Sequence, residues 1–151
     1  MTTNTKDPGL KKHKLATLAA FLECQPDDLT EIEWKHWGLD TFALDSQEYA
    51  IGTNAEADKA CAEYIEETVW AFNAEFIVSQ CDLPHELAEP IQAWQEKKCE
   101  SANEGIAALI KKTCGMESFV RTAIACDGRG HFLSGYDGEE NKKGKFYIYK
   151  V

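Results

Sequence analysis

The feature that most constrains this chain is a helix start with a long apolar stripe behind it. Thr53 is followed three residues later by Glu56. This is the capping-box spacing, in which the threonine hydroxyl accepts from the N3 amide and the glutamate reaches back to the threonine N–H. Behind the box, at about 100° per residue, Cys61, Ile65, Thr68, Val69, Phe72 and Phe76 fall on one side, which predicts one amphipathic helix from 54 to about 79. Glu56, Glu63 and Glu67 fall on the other side with Glu66 alongside, and Trp70 stands among them.

The flanking segments sort by the same logic. Pro8 suits the first turn of a helix running to about Glu23, with Leu15, Leu18, Ala19 and Leu22 on one face. Pro26, Asp27 and Asp28 predict a turn into a short helix through Trp34. DTFALD and QEYAI alternate around Asp45-Ser46, a turn-forming pair, and read as a hairpin. Phe42 and Leu44 then share one face of one strand, and Tyr49 and Ile51 one face of the other. A helical stretch is expected from about 84 to 113, with Pro84 and Pro90 each suited to a first turn, interruptions near Pro90 and near 101–105, and Leu87, Ile91, Trp94, Ile106, Leu109 and Ile110 in the core. Gly115 stops it, and Phe119, Val120, Ala123 and Ile124 mark another helix over 116–126. DGRGHFLSGYDGEENKKG, with five glycines, reads as a loop or irregular hairpin, and KFYIYKV as a strand.

Because strands and helices do not alternate regularly, the class is α+β. The expected architecture is about four to five helices on a small antiparallel sheet, built from the hairpin near 41–51 and the C-terminal strand near 145–151. A flexible 1–9 and a single domain over 10–151 are expected, since no repeat or linker interrupts the chain.

Charge narrows the function classes. The net is −10, with lysines crowded at both ends, and between Glu23 and Glu89 there are 17 acidic residues against Lys35 and Lys59. Nucleic-acid binding needs clustered Lys and Arg to neutralise phosphates, so direct nucleic-acid binding is not expected. Such a surface attracts basic protein surfaces, and it also follows from solubility alone. The six cysteines contain no CxxC pair, so they are expected as free thiols of a reducing cytoplasm rather than as zinc ligands or a disulfide framework. His13, His36, His85 and His131 are too scattered for a metal site, and no phosphate-binding or dinucleotide fingerprint is present; neither metal nor cofactor is expected. No apolar run fits an export signal or a bilayer span, which predicts no membrane association and a cytoplasmic location.

Three candidate sites follow. The first is a partner-binding face of Glu56, Glu63, Glu66, Glu67 and Trp70, where an acidic rim around an indole would steer in a basic partner. Lys11, Lys12 and Lys14 offer a different cover for the same carboxylates. The second is a catalytic or ligand-binding loop, with His131 as general base, Asp127 or Asp137 orienting it and Arg129 binding an anion; a tight structural connection explains the same residues. The third is a structural homodimer through an exposed sheet edge. Trp34 and Trp37 are expected to pack against the hairpin.

EYAIGTNAEADKACAEYIEETVWAFNAEFI (48–77) and DGRGHFLSGYDGEE (127–140) resemble segments of small acidic proteins of bacteriophages and other bacterial mobile elements. The resemblance covers under a third of the chain and implies an accessory protein that acts on the bacterial host, counter-defence inhibition of restriction or CRISPR complexes included. Its expected partner is a basic surface on a nucleic-acid-handling or defence protein in the host cytoplasm.

Overall fold

A computed structural model describes residues 8–151. The expected flexible N-terminus lies outside the described residues, except for Pro8 and Gly9, which open the first helix. In chain order the elements are α1 (Pro8–Leu22), β1 (Thr30–His36), β2 (Leu39–Leu44), β3 (Gln47–Thr53), α2 (Asn54–Glu67), α3 (Ala74–Gln80), α4 (Ala88–Lys98), α5 (Asn103–Lys112), α6 (Met116–Asp127), α7 (Arg129–Leu133), β4 (Asn141–Lys143) and β5 (Phe146–Lys150). The strands form one antiparallel sheet in the order β1-β2-β3-β5-β4, so the fold is α+β.

The sheet has two more strands than the patterning indicated. The segment expected to become a short helix after Pro26 makes one 3-10 turn, Pro26–Asp28, and then extends as β1. Its apolar content is too low to show a period: Ile32 is half-buried while Glu31, Glu33, Trp34 and Lys35 are exposed. The turn into β2 uses Trp37 at φ 53° and Gly38 at φ 88°, the left-handed pair that suits a two-residue hairpin turn. Asp45-Ser46 makes the next turn as expected, pairing Leu44 with Gln47. The glycine-rich segment, expected as a loop or irregular hairpin, holds α7 and β4, and β4 turns into β5 through Gly144 at φ 60°, an antiparallel hairpin.

The described chain packs as two compact units, the first taking in the chain up to Cys61 together with Arg129–Val151, the second Ala62–Gly128. In the first, α1 lies on the sheet as its apolar face requires: Leu18 and Ala19 pack with Phe42, Tyr49, Ile51, Phe146 and Ile148, and Leu15 and Leu22 border them. Gly52 is needed beside this core because a Cβ there would stand 2.5 Å from Leu39 Cδ2.

The second unit is helical, around Ile65, Val69, Ile77, Val78, Ile106, Ile110 and Phe119. Phe72, Phe76 and Phe119 form an aromatic trio with ring centroids 5.3 to 6.0 Å apart. The helix expected from 54 to 79 is broken here. α2 stops at Glu67, Val69–Ala71 makes a 3-10 turn, and Asn73 restarts the helix by accepting from the amides of Glu75 and Phe76. Thr68 Oγ1 donates to Tyr64 O at 2.7 Å, a back-bond that favours the bend. Backbone groups freed by the break find side chains: Asn103 donates to Glu66 O and accepts from Trp70 N–H, and Gln95 donates to Phe72 O at 2.6 Å. Pro90 does not interrupt α4, because it sits in the first turn, where its missing N–H has no helical partner to lose. Of the expected core residues in this stretch, Ile91, Ile106 and Ile110 are buried, Leu109 is half-buried, and Leu87 and Trp94 are exposed.

Candidate functional site

The five residues of the expected acidic face do not act alike. Glu56 forms the capping box, accepting from Thr53 N–H at 2.9 Å while its own N–H donates to Thr53 Oγ1. The same carboxylate takes Lys14 Nζ at 2.9 Å, with side-chain exposures of 11% and 3%. Lys14 also holds Asp40 at 2.9 Å, and Lys35 closes the cluster on Asp40's other oxygen. Burial alone would raise the Asp40 carboxyl; the hydrogen bonds from Lys35 and Lys14 outweigh it and hold the group below its ordinary range. Glu56 is thus spent inside the first unit, under the N-terminal lysine that offered the other cover for this face. Trp70, expected on the acidic helix face, lies in the 3-10 turn beyond the end of α2 and is half-buried, its backbone N–H held by Asn103.

Glu63, Glu66 and Glu67 remain together near the end of α2. With Asn103, Glu104, Ala107 and Lys111 of α5 they line a shallow groove of about 300 Å³ in the second unit. Lys111, the groove's lysine, pairs with Glu66 at 2.7 Å. Among the described residues Glu63, Glu67 and Glu104 have no ion-pair partner, and Glu63, Glu67 and Glu104 are exposed. Glu104 was missed by the sequence reading, because only the packing of α5 beside the end of α2 brings it to these glutamates.

The four residues of the loop weighed as a catalytic or ligand-binding site go to separate tasks. Asp127 is the exposed last residue of α6. The Arg129 guanidinium bonds Glu140 through Nε at 2.8 Å and Nη2 at 3.2 Å, and reaches Asp58, Asn54 Oδ1 and Asn54 O through Nη1. It also lies over the Tyr147 ring, 4.5 Å from the centroid. Burial opposes its charge, but Glu140 and Asp58 more than compensate, pushing its pKa further up. Glu140 in turn accepts from Tyr149 O–H, and burial together with that carboxylate pushes the phenol well up. An arginine so occupied fastens α7 to the first turn of α2 and to the Glu140 carboxylate; its donors do not face an open anion site.

His131 is exposed, with its ring edge-on to Phe132 at 4.9 Å. Asp137 accepts from Glu139 N–H and from Ser134 Oγ, and those bonds hold its carboxyl below the usual range. Ser134 Oγ also lies 2.8 Å from Lys150 O, so this turn is seated on β5. The Arg129, His131 and Asp137 side chains do not bond one another among the described residues.

All six cysteines are free thiols, and burial pushes the Cys61 thiol up to about 12. Among the described residues, no group of three or more His, Cys, Asp or Glu side chains is placed to hold a metal, and no helix is long and apolar enough to cross a membrane. Trp34, expected to pack on the hairpin, is 56% exposed on the edge strand, while Trp37 is half-buried in the turn. Comparison of the chain with protein-family models, with curated proteins and with solved structures finds no match.

Proposed function

We propose that this chain is a non-enzymatic interaction protein that binds a basic protein surface through the acidic groove of Glu63, Glu66, Glu67 and Glu104. The observation that carries the reading is the groove's charge balance: four glutamates stand against one lysine, and that lysine is already paired. The surrounding unit adds to the field, with twelve acidic residues against five basic ones over Ala62–Gly128. A field of one sign favours long-range steering of a partner of the other sign and disfavours nucleic acid.

The resemblance to phage and mobile-element proteins supports a host nucleic-acid-handling or defence protein as the partner, with anti-restriction or anti-CRISPR inhibition as the biological role. A tagged pulldown from bacterial lysate at low and high salt tests this. A partner retained at low salt, released at high salt and lost in Glu63→Lys/Glu67→Lys is the expected result. A partner held equally by wild type and double mutant would remove the groove from the account.

Trp34 favours a second reading, a homodimer joined along β1, because a large aromatic is exposed on an unpaired strand edge. The irregular register of β1 between Ile32 and His36 works against long pairing there. Light scattering separates the two: a concentration-independent monomer excludes the dimer.

A further inference from the structure

The first unit carries a groove whose chemistry is the reverse of the acidic one. Lys11, Lys12 and Leu15 come from one stretch of α1, where residues three and four apart are neighbours on the helix surface. Leu29 follows the 3-10 turn in extended backbone, so its side chain and that of Glu31, two residues on, point to the same side. Phe42 of β2 stands opposite Glu31 in the β1–β2 ladder and faces the same way. Together these side chains line a shallow groove of about 280 Å³ between α1 and the sheet. Its floor is apolar: Leu29 and Phe42, 8% and 2% exposed, belong to the core of this unit, and half-buried Leu15 packs against that core. Its rim is charged. Lys11 is paired with Glu31 from α1 to β1, whereas Lys12 is exposed and has no ion-pair partner among the described residues.

We propose that this groove binds a medium-chain monocarboxylate, its alkyl chain laid on Leu15, Leu29 and Phe42 and its carboxylate paired with Lys12. Charge selects the anion: with Lys11 neutralised by Glu31, the groove keeps one uncompensated cation in a chain whose net charge is −10. The floor selects an apolar chain, and the size selects a short one. The volume falls just under the range of about 300–1,000 Å³ usual for drug-sized ligands. The buried Lys14–Asp40 pair fastens α1 to β2, the two elements that supply Lys12, Leu15 and Phe42, so the groove is formed before a ligand arrives. Each methylene withdrawn from water onto the floor should tighten binding about fourfold, and the exposed Lys12 pair adds direction more than affinity. The site lies in a different unit from the acidic groove and stands whatever that groove binds.

Sodium hexanoate and sodium octanoate are the probes, titrated at fixed ionic strength into the isotope-labelled full chain and followed by two-dimensional NMR. The expected result is saturable shifts centred on the amides of Lys12, Leu15, Leu29 and Phe42, with octanoate bound about fifteenfold more tightly than hexanoate. Lys12→Glu, a change at an exposed position, should weaken octanoate binding about fivefold or more, since it removes one charge pair and adds a repulsion. Glu63→Lys/Glu67→Lys should leave octanoate binding unchanged, which separates this site from the acidic groove. An absence of saturable shifts, shifts centred elsewhere, equal affinity for the two chain lengths, or undiminished binding in Lys12→Glu would overturn the proposal.

Discussion

Lys14 Nζ lies 2.9 Å from Glu56 Oε1 and 2.9 Å from Asp40 Oδ2, on a side chain that is 3% exposed. The lysine ties α1 to β2 and to the cap of α2, so two carboxylates and one ammonium are withdrawn from water together. Removing one partner of such a cluster leaves unpaired buried charge and costs about 3–5 kcal/mol. Lys14→Met should therefore destabilise the chain by roughly that amount in urea unfolding, whereas Lys35→Ala, on a side chain 45% exposed, should cost less than about 1 kcal/mol. Equal effects would show that the cluster's burial does not matter.

His36 supplies a pH test. Its Nε2 lies 2.7 Å from Leu133 O, and its Nδ1 is buried without a hydrogen-bond partner among the described residues. Burial pushes the imidazole pKa down, against the smaller upward effect of the Leu133 carbonyl. The unfolded chain takes up a proton as pH falls through its ordinary value, about 6.5, while the folded chain resists it. Stability present above about pH 6.5 is therefore lost as pH falls toward the lower folded value. The Asp40 contribution stays in place until more acid pH, where its depressed carboxyl protonates. Urea midpoints at about pH 7.5 and about pH 5.5 should fall further apart in wild type than in His36→Gln. Parallel pH dependence in the two proteins would contradict this assignment.

Asn103 satisfies both sides of the helix break, donating to Glu66 O at 3.0 Å and accepting from Trp70 N–H at 3.1 Å. Asn103→Ala should cost about 1–3 kcal/mol, the penalty for leaving buried backbone groups unpaired. Asn103→Asp keeps the acceptor and loses the donor, so it should not restore stability. Chemical denaturation of both variants checks the pair.

Gly130 lets the 138–140 backbone cross α7: a Cβ there would stand 2.6 Å from Glu140 N and 2.7 Å from Gly138 O. Backbone cannot swing aside as a flexible side chain can, so Gly130→Ala should destabilise by about 1–3 kcal/mol. Gly128→Ala, at φ 83° but with open space around it, tests strain without the clash. A harmless Gly130→Ala would mean that 138–140 is free to move away.

Much of the fold was legible wherever a residue's local chemistry agreed with its packing. The Thr53–Glu56 box, the Asp45-Ser46 turn and the stop at Gly115 all rest on interactions within a few residues. What failed to show needed distant partners. β1 is solvent-exposed and carries no apolar alternation, so only its hairpin with β2 makes it a strand. The break after Glu67 is held open by Asn103 and Gln95, each more than twenty residues away, and Asn73 was the one local signal for the restart. The acidic site was half legible for the same reason: Glu63, Glu66 and Glu67 follow from helical spacing, whereas the loss of Glu56 to Lys14 and the arrival of Glu104 are tertiary.

The most direct test of the central claim is the affinity of the captured partner for two charge-reversed proteins of equal net charge. Glu63→Lys/Glu67→Lys alters the groove; Asp27→Lys/Glu33→Lys alters exposed acids of the first unit by the same amount. If the groove is the binding site, the first pair should abolish binding and the second should weaken it only slightly, as a long-range charge effect does. Equal losses in both would mean that net charge, not the groove, drives association, and would contradict the account.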